Sequence, residues 1–303
     1  MDAAAGSPVG IRNPLLRVLV YGHVWLALGA AAQVWWISSF FGSESLVPAL
    51  FAASATFSAY GCMRLFRMNT PGMLRSEHMT WFRRNRWTMT LFIAVSGMCA
   101  MALGWPMFPR FSPALLLACA FTIFYVLPDI GHTPDMRGLR RIPFLKSFLI
   151  AYVWAAMSVL VARAGIEEPM IADGRLMLLV VQFCFFLAMA IVFDVRDTAF
   201  DPAAIRSIPQ VIGDRATRFV VVVLMVIPIL IVAMYFLATN MDGDTPVQNE
   251  DFDPTYIGTL IGYIVAATLF SYATPQRSAL YYGLLLDGML ILIPVLAWMG
   301  SLL

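Results

Sequence analysis

Charged side chains are scarce in this sequence. Only 13% of its 303 residues are Asp, Glu, Lys or Arg, whereas a soluble domain carries about a quarter. Hydrophobic residues make up 60% of the chain, and the mean hydropathy is +0.78. This composition excludes an ordinary soluble domain. It also leaves no polar domain that could bind a nucleic acid.

Metal-binding cysteine spacing is missing too. The four cysteines are scattered, mostly inside apolar runs, and no CxxC pair occurs among them. We therefore interpret them as small buried side chains and expect no cysteine-based metal site. They are Cys62, Cys99, Cys119 and Cys184.

What the sequence has instead is a series of long apolar runs. A helix needs roughly 20 apolar residues to cross a bilayer, and lipid-spanning chains form either helices or closed barrels. These runs are too long for barrel strands. The sequence predicts an all-α polytopic membrane protein with nine transmembrane helices in a single domain, residues 1–303. The runs lie near 15–41, 46–66, 88–108, 112–128, 145–163, 175–193, 218–238, 255–274 and 279–301.

Basic residues predict the orientation of these helices. The amino terminus and the loops after the second, fourth, sixth and eighth runs hold 17 of the 20 Lys and Arg residues. Loops rich in Lys and Arg stay on the cytoplasmic side. We therefore expect the amino terminus inside and the carboxyl terminus outside, in a bacterial plasma membrane.

Three carboxylates stand together at the end of the sixth run. Asp194, Asp197 and Asp201 are spaced by three and four residues, so a continuous helix would put them on one face. Such close like charges need a counter-charge. Mg²⁺, which typically takes one or two carboxylates together with substrate phosphate oxygens, is one candidate. Nearby arginines are another, and a solvated helix end is the third possibility.

A longer stretch around these carboxylates resembles a known family. Residues 193–213 contain the three aspartates, a short basic segment, and then Ser207-Ile208-Pro209 followed by Gly213. This order is similar to the second aspartate-rich motif of the UbiA superfamily of intramembrane prenyltransferases. The nine-helix pattern also matches that family. The segment Tyr125–Pro128 with the basic residues after it looks like the end of the family's fourth helix.

The resemblance implies a substrate and a cofactor. Family members use aspartate motifs after helices 2 and 6 to hold Mg²⁺ and an isoprenyl diphosphate, whose tail lies in a cavity among the helices. By this resemblance the metal ligands and catalytic residues are Asp194, Asp197 and Asp201. The diphosphate-binding residues would be Arg64, Arg67, Arg137 and Lys146. Tyr60 and Tyr125 would line the path of the allylic cation.

The first aspartate motif departs from the family pattern. Residues 58–70 contain no carboxylate, and Arg64 and Arg67 stand where metal ligands are expected. The guanidinium groups could bind diphosphate directly, which would replace one metal ion by fixed charge. They could instead be anchors at a helix end. A chain that lost activity and kept the fold is a further alternative.

Three polar residues within the apolar runs are candidates for a buried polar site. His23 and Asp287 lie at similar depths in the first and ninth runs, which are neighbours in the UbiA arrangement, so we expect them to meet or to share one polar cavity. A structural pair is an equally good interpretation. Gln182, in the sixth run, is a weaker candidate facing the same interior.

The sequence thus favours a prenyltransferase, or a related terpene cyclase, that uses Mg²⁺, an isoprenyl diphosphate and a lipophilic small molecule in the bilayer. The alternative is a non-catalytic isoprenoid-binding or scaffold protein on the same fold. A transporter with His23 and Asp287 as a proton relay ranks last, because the sequence has no convincing internal repeat.

Overall fold

The computed structural model describes residues 11–68, 77–126, 144–166, 173–198, 207–241 and 255–302. Within these ranges the chain is helical and has no strand. The first half contains α1 (Pro14–Tyr21), α2 (Val24–Phe40), α3 (Val47–Arg67), α4 (Glu77–Arg84), α5 (Arg86–Gly104) and α6 (Pro113–Val126). The second half contains α7 (Leu145–Ala156), α8 (Ala162–Ala164), α9 (Asp173–Asp197), α10 (Ile208–Met241), α11 (Thr255–Ser271) and α12 (Asp287–Gly300).

Each predicted apolar run contains at least one of these helices. In the described ranges, five helical segments are long and apolar enough to cross a membrane, and the pair α1 and α2 makes a sixth if the two are one bent span. Two shorter apolar helices, Pro113–Ile123 and Thr255–Ser271, accompany them. The all-α class is confirmed for the described residues, whereas the count of nine crossings and the orientation stay predictions.

Large apolar side chains cover the outside of the bundle. Trp87, Trp105 and Phe219 are 76%, 79% and 69% exposed, respectively. A soluble protein would bury such rings, but hydrocarbon is a good environment for them. The inside is also apolar and is packed around Phe185, Tyr263 and Leu290.

The first apolar run is broken at His23, where the sequence predicted one continuous helix. His23 has φ 60°, in the left-handed region, and α1 and α2 meet at 57° around it. Histidine is one of the few residue types enriched at positive φ. The bend turns the His23 side chain, 8% exposed, toward α3.

Two π-helical turns interrupt the later helices. Met157–Val161 follows α7, and Tyr281–Leu286 precedes α12. Apolar periodicity does not distinguish such turns from α-helix, so they could not be predicted. A further break lies within α10 at Gly213, which has φ 77°, a conformation that glycine adopts without strain.

Helix neighbours bring the predicted site together. α9 packs against α7 and α10, α3 packs against α2 and α5, and α12 packs against α2 and α11. The contact between α2 and α12 agrees with the resemblance, which made the first and ninth apolar runs neighbours. Gly29 of α2 lies against the side chain of Leu290 on α12.

Candidate functional site

Asp194, near the end of α9, is joined to the start of α7. Its Oδ1 accepts from Lys146 Nζ at 2.8 Å, and its Oδ2 accepts from the Ser147 hydroxyl at 2.5 Å. Asp194 and Ser147 are 3% and 1% exposed, respectively. Both carboxylate oxygens are therefore occupied by partners from α7, and this contact fixes the ammonium group of Lys146.

Asp197 lies in a more open position. Its Oδ1 is 2.7 Å from Arg196 Nε, and its Oδ2 is 4.0 Å from Lys146 Nζ. The side chain is 28% exposed, compared with 4% for that of Asp194. Of the two carboxylates, Asp197 is the one that a ligand can reach.

Arg196 connects this pair to α12. Its guanidinium carbon is 4.9 Å from the centroid of the Phe193 ring and 5.4 Å from that of Tyr282, within the range of cation–π attraction. Asp287 lies within electrostatic range of Arg196. The described residues give no hydrogen bond or ion pair between Asp287 and His23.

His23 contacts Arg64 instead. Arg64 Nε donates to His23 Nε2 at 3.1 Å, and Arg64 Nη1 contacts His78 Nε2. Since a ring nitrogen that accepts a hydrogen bond carries no proton, the proton of neutral His23 belongs on Nδ1. The two imidazoles hold the guanidinium from two sides.

His78 comes from α4, which packs on the same end of the bundle. Burial, together with the positive charges of Arg64 and Arg196, lowers the pKa of His78 to about 3. His78 is thus neutral at ordinary pH. Its neighbours Met79 and Phe82 are 2% and 1% exposed, so α4 is anchored in the protein.

These residues form one cluster, which we call the charged end of the bundle: His23, Arg64, His78, Lys146, Asp194, Arg196, Asp197 and Asp287. His23 and Asp287 both belong to it, although they do not touch. The link between them runs through Arg64, His78 and Arg196. The structure therefore agrees with the expectation that His23 and Asp287 share one polar region, and not with the expectation that they contact each other.

An apolar cavity begins next to the charged end. It lies between α3, α6 and α7 and is partly open to the surroundings. Tyr60 lines it and also packs on the His23 ring, with centroids 5.6 Å apart. Trp154, on the opposite wall, points its indole Nε1 toward Tyr60 Oη at 3.4 Å. Tyr60 is therefore shared by the cavity and the charged end.

Gln182 belongs to a different polar contact, deep in the bundle. Its Nε2 donates to Gln33 Oε1 at 3.2 Å, and Gln33 Nε2 donates to the Leu290 carbonyl at 3.0 Å. That carbonyl has no helical N–H partner four residues later, because residue 294 is proline. Gln33 replaces the missing donor, which indicates a structural role for both glutamines.

Several predicted site residues cannot be placed. Asp201 and Arg137 lie outside the described residues, and the side chains of Arg67 and Tyr125 are likewise outside them although both residues are helical.

Two residues of these polar contacts were missed by the sequence analysis. His78 lies among basic residues outside the apolar runs, and Gln33 is a lone amide within an apolar run. A proline four residues after a buried carbonyl was the available signal for Gln33.

The described residues alone do not form a metal centre. Among them, no group of three or more His, Cys, Asp or Glu side chains is arranged to hold a metal ion. Mg²⁺, however, needs only one or two protein carboxylates when substrate phosphate and water fill its other positions. The partly exposed Asp197 fits that requirement, and the fully engaged Asp194 fits it less well. The printed contacts of Arg64 are with His23, His78 and Met79, and a guanidinium group suits an anion.

Comparison with known proteins supports the same fold. Two solved structures cover 95% of this chain and 99% of their own. One is described as a UbiA homolog from Archaeoglobus fulgidus bound to GPP and Mg²⁺, with a TM-score of 0.56 and 13% identity. The other is a UbiA homolog from the same organism bound to DMAPP and Mg²⁺, with a TM-score of 0.52 and 15% identity. No curated protein matches the sequence.

The family itself is identified by sequence. The pattern of the UbiA prenyltransferase family matches residues 83–247, more than half of the chain. The match includes Asp194 and Asp197 but ends short of Arg64 and His23 on one side and of Asp287 on the other. The resemblance seen in the aspartate motif is thereby confirmed: the chain belongs to the UbiA prenyltransferase family, whose members are integral membrane proteins.

Proposed function

We propose that the protein is an intramembrane prenyltransferase, or a related terpene cyclase, that acts on an isoprenyl diphosphate. One observation carries the proposal. Two cations, Arg64 on α3 and Lys146 on α7, stand on the helices that also line the apolar cavity. A diphosphate with a hydrocarbon tail has the matching polarity, because its charge and its apolar chain lie at opposite ends.

The two cations have different tasks in this proposal. Arg64 offers a planar fork of donors suited to phosphate oxygens, and its contacts with His23 and His78 set the direction of this fork. The ammonium group of Lys146 is bonded to Asp194, so it contributes a point charge in a fixed place. Both stabilise negative charge on the departing diphosphate.

A bound diphosphate would add negative charge to the charged end, whose own charges balance, so additional positive charge is needed. In the charged end, Arg64, Lys146 and Arg196 are matched by Asp194, Asp197 and Asp287. We expect Mg²⁺ at Asp197, with Asp201 as a second ligand, to supply that charge by neutralising phosphate oxygens. We also propose that Arg67 and Arg137 bind the diphosphate, as the family resemblance implies.

Tyr60 and Trp154 are placed to stabilise the carbocation that forms on the substrate. Both rings face the cavity next to the charged end, and aromatic faces attract a carbocation. The loss of diphosphate leaves such a cation, which an acceptor or an internal double bond then captures. We propose that the charged end lies on the cytoplasmic side, as the distribution of basic residues predicts.

Binding and turnover of isoprenyl diphosphates test the proposal. The purified protein in nanodiscs is mixed with radiolabelled geranyl or farnesyl diphosphate, Mg²⁺ and a bacterial lipid extract as acceptor source, and released diphosphate is measured. We expect release that EDTA stops. Arg64→Lys should weaken substrate binding at least about tenfold, because an ammonium cannot reproduce the fork. Arg163→Lys, whose arginine contacts Ile166 O outside the charged end, is the matched control.

A non-catalytic isoprenoid-binding protein is the second candidate. The observation in its favour is that Asp194 and Asp197 already have cationic partners, Lys146 and Arg196. In that case isoprenyl diphosphates should bind equally well with EDTA and release no diphosphate, and mass spectrometry should find a co-purified isoprenoid. If none of the diphosphates binds, both candidates are wrong.

A further inference from the structure

Four exposed side chains lie where α4 meets α5, and we call them the interfacial patch. Arg83 and Arg84 end α4, and Arg86 and Trp87 begin α5. Arg86 lies over the Trp87 ring, with its guanidinium carbon 5.0 Å from the ring centroid. The proposed chemistry of the charged end uses none of these four residues.

The interfacial patch lies at the level of the lipid headgroups. After Trp87, α5 continues with exposed apolar side chains, which suit hydrocarbon: Leu91, Phe92, Val95, Met98 and Met101. Just before Trp87 the arginines are exposed. Tryptophan is enriched at the boundary between these two environments, because its ring is apolar and its N–H is polar. The order of residues along the chain therefore places the three arginines beside headgroups.

The protein does not balance the charge of these arginines locally. Within the described ranges, no ion pair involves Arg83, Arg84 or Arg86. Glu77, at the other end of α4, is already bonded to Arg17 at 3.3 Å. Guanidinium forks suit phosphate oxygens, so the partner that fits the interfacial patch is an anion that contains phosphate.

We propose that the interfacial patch binds the headgroups of anionic phospholipids and thereby holds α4 on the end of the bundle. The headgroup supplies phosphate to the arginines, and the acyl chains of the same lipid lie beside Trp87. Each basic residue near an anionic membrane surface strengthens the attraction by about fivefold. A zwitterionic lipid also has a phosphate, but its own cation opposes the arginines.

α4 gains from such an anchor because it is short. It has 8 residues, and an isolated helix of fewer than about 12 residues is marginal in water. Its inner side buries Met79 and Phe82 and brings His78 to Arg64. Lipid bound on the exposed side of α4 would hold the same helix from outside, and so would connect the bilayer surface to a contact of the charged end.

Quenching of Trp87 fluorescence by brominated lipid tests the binding. The protein is placed in bilayers of equal phosphatidylglycerol and phosphatidylcholine, with one of the two lipids brominated on its acyl chains. The difference between samples with and without Trp87→Phe gives the emission of Trp87 itself. From this quenching, the binding of phosphatidylglycerol relative to phosphatidylcholine should be at least about fivefold in favour of the anionic lipid.

The combined substitutions Arg83→Gln, Arg84→Gln and Arg86→Gln should remove this preference. The matched control is the pair Arg215→Gln and Arg218→Gln. It removes two exposed arginines of α10, which packs against α9 and α11, and it should leave the quenching of Trp87 unchanged.

Amide hydrogen exchange tests the anchoring of α4. In nanodiscs of phosphatidylglycerol, the amides of Glu77–Arg84 should exchange at least about fivefold more slowly than in nanodiscs of phosphatidylcholine. The triple variant should exchange at the same rate in both lipids. Equal rates in the unaltered protein would mean that bound lipid does not hold α4, and the proposal would be wrong.

The quenching experiment can also overturn the proposal. Equal quenching by the two brominated lipids, no quenching by either, or a preference that the triple variant retains would each contradict it. If the triple variant does not fold, 1 M salt replaces it, because the Debye length is then about 3 Å, and a preference that survives this salt is likewise contrary. None of these readouts depends on turnover, so such a failure leaves the proposed function standing.

Discussion

Lys146 Nζ lies 2.8 Å from Asp194 Oδ1, so a cation predicted to hold diphosphate is bonded to a carboxylate predicted to hold metal. The two predicted roles are therefore coupled. Asp194 is buried and has no oxygen without a partner, while Asp197, one turn later, is partly exposed. We interpret Asp194 as the residue that positions Lys146 and Asp197 as the one that faces the ligand.

Because the two aspartates have these different roles, replacing each by asparagine should change the stability of the protein by different amounts. Asp194→Asn should cost about 3 kcal/mol of stability, because the loss of one charge from a buried pair leaves the other unpaired. Asp197→Asn should cost less than about 1 kcal/mol, since its ion pairs are more exposed. Thermal unfolding in detergent measures both. Equal losses would contradict the division.

The same two variants should also differ in the Mg²⁺ concentration that their activity requires. Asp197→Asn should raise the Mg²⁺ concentration needed for half-maximal release of diphosphate. Asp194→Asn should mainly weaken substrate affinity through a misplaced Lys146. A variant of Asp194 that raised only the metal requirement would instead make Asp194 a ligand.

The low pKa of His78 predicts a dependence of stability on pH. The pKa is about 3 in the folded protein, compared with about 6.5 in an unfolded chain. Between these values the unfolded chain binds a proton that the folded protein does not. Stability should therefore be lost as the pH falls from about 6.5 toward 3, by at most about 1.4 kcal/mol per pH unit.

His78→Gln tests the source of this loss. Glutamine can still accept a hydrogen bond from Arg64 but does not titrate. Unfolding temperatures measured between pH 7.5 and pH 4.5 should fall less in the variant than in the unaltered protein. Parallel curves would mean that other groups, such as the carboxylates of the charged end, cause the whole effect.

Gln33 and Pro294 should be energetically coupled. Gln33→Leu removes the donor to the Leu290 carbonyl and the partner of Gln182, which should cost about 0.5–2 kcal/mol in a membrane protein. Pro294→Ala supplies a backbone N–H that can bond that carbonyl within α12. In the Gln33→Leu background, Pro294→Ala should therefore recover part of the loss. Strict additivity of the two unfolding free energies would contradict the coupling.

The general architecture could be predicted because it depends on length and polarity alone. Apolar runs of helical length predicted where the helices are, and each run contains one. The spacing of Asp194 and Asp197, with Gly213 after them, was specific enough to indicate the family. These are local signals that need no knowledge of which helices touch.

Contacts between distant residues could not be predicted in the same way. Lys146 was assigned to substrate and Asp194 to metal, because nothing in the sequence shows that the start of α7 packs on the end of α9. His23 was paired with Asp287 on depth along the helix, but a bend at His23 directs its side chain to Arg64 on α3. Depth alone does not give the direction of a side chain around the helix axis.

The bonds of Gln33 also constrain the order in which the protein can mature. Its partners Gln182 and Leu290 are 149 and 257 residues later in the chain, so α2 enters the bilayer long before either exists. Until α12 has been synthesised, the amide of Gln33 has no carbonyl of Leu290 to bond. The growing chain thus carries an unsatisfied amide in lipid until α12 has been inserted, and formation of this bond is a natural marker that the bundle has closed.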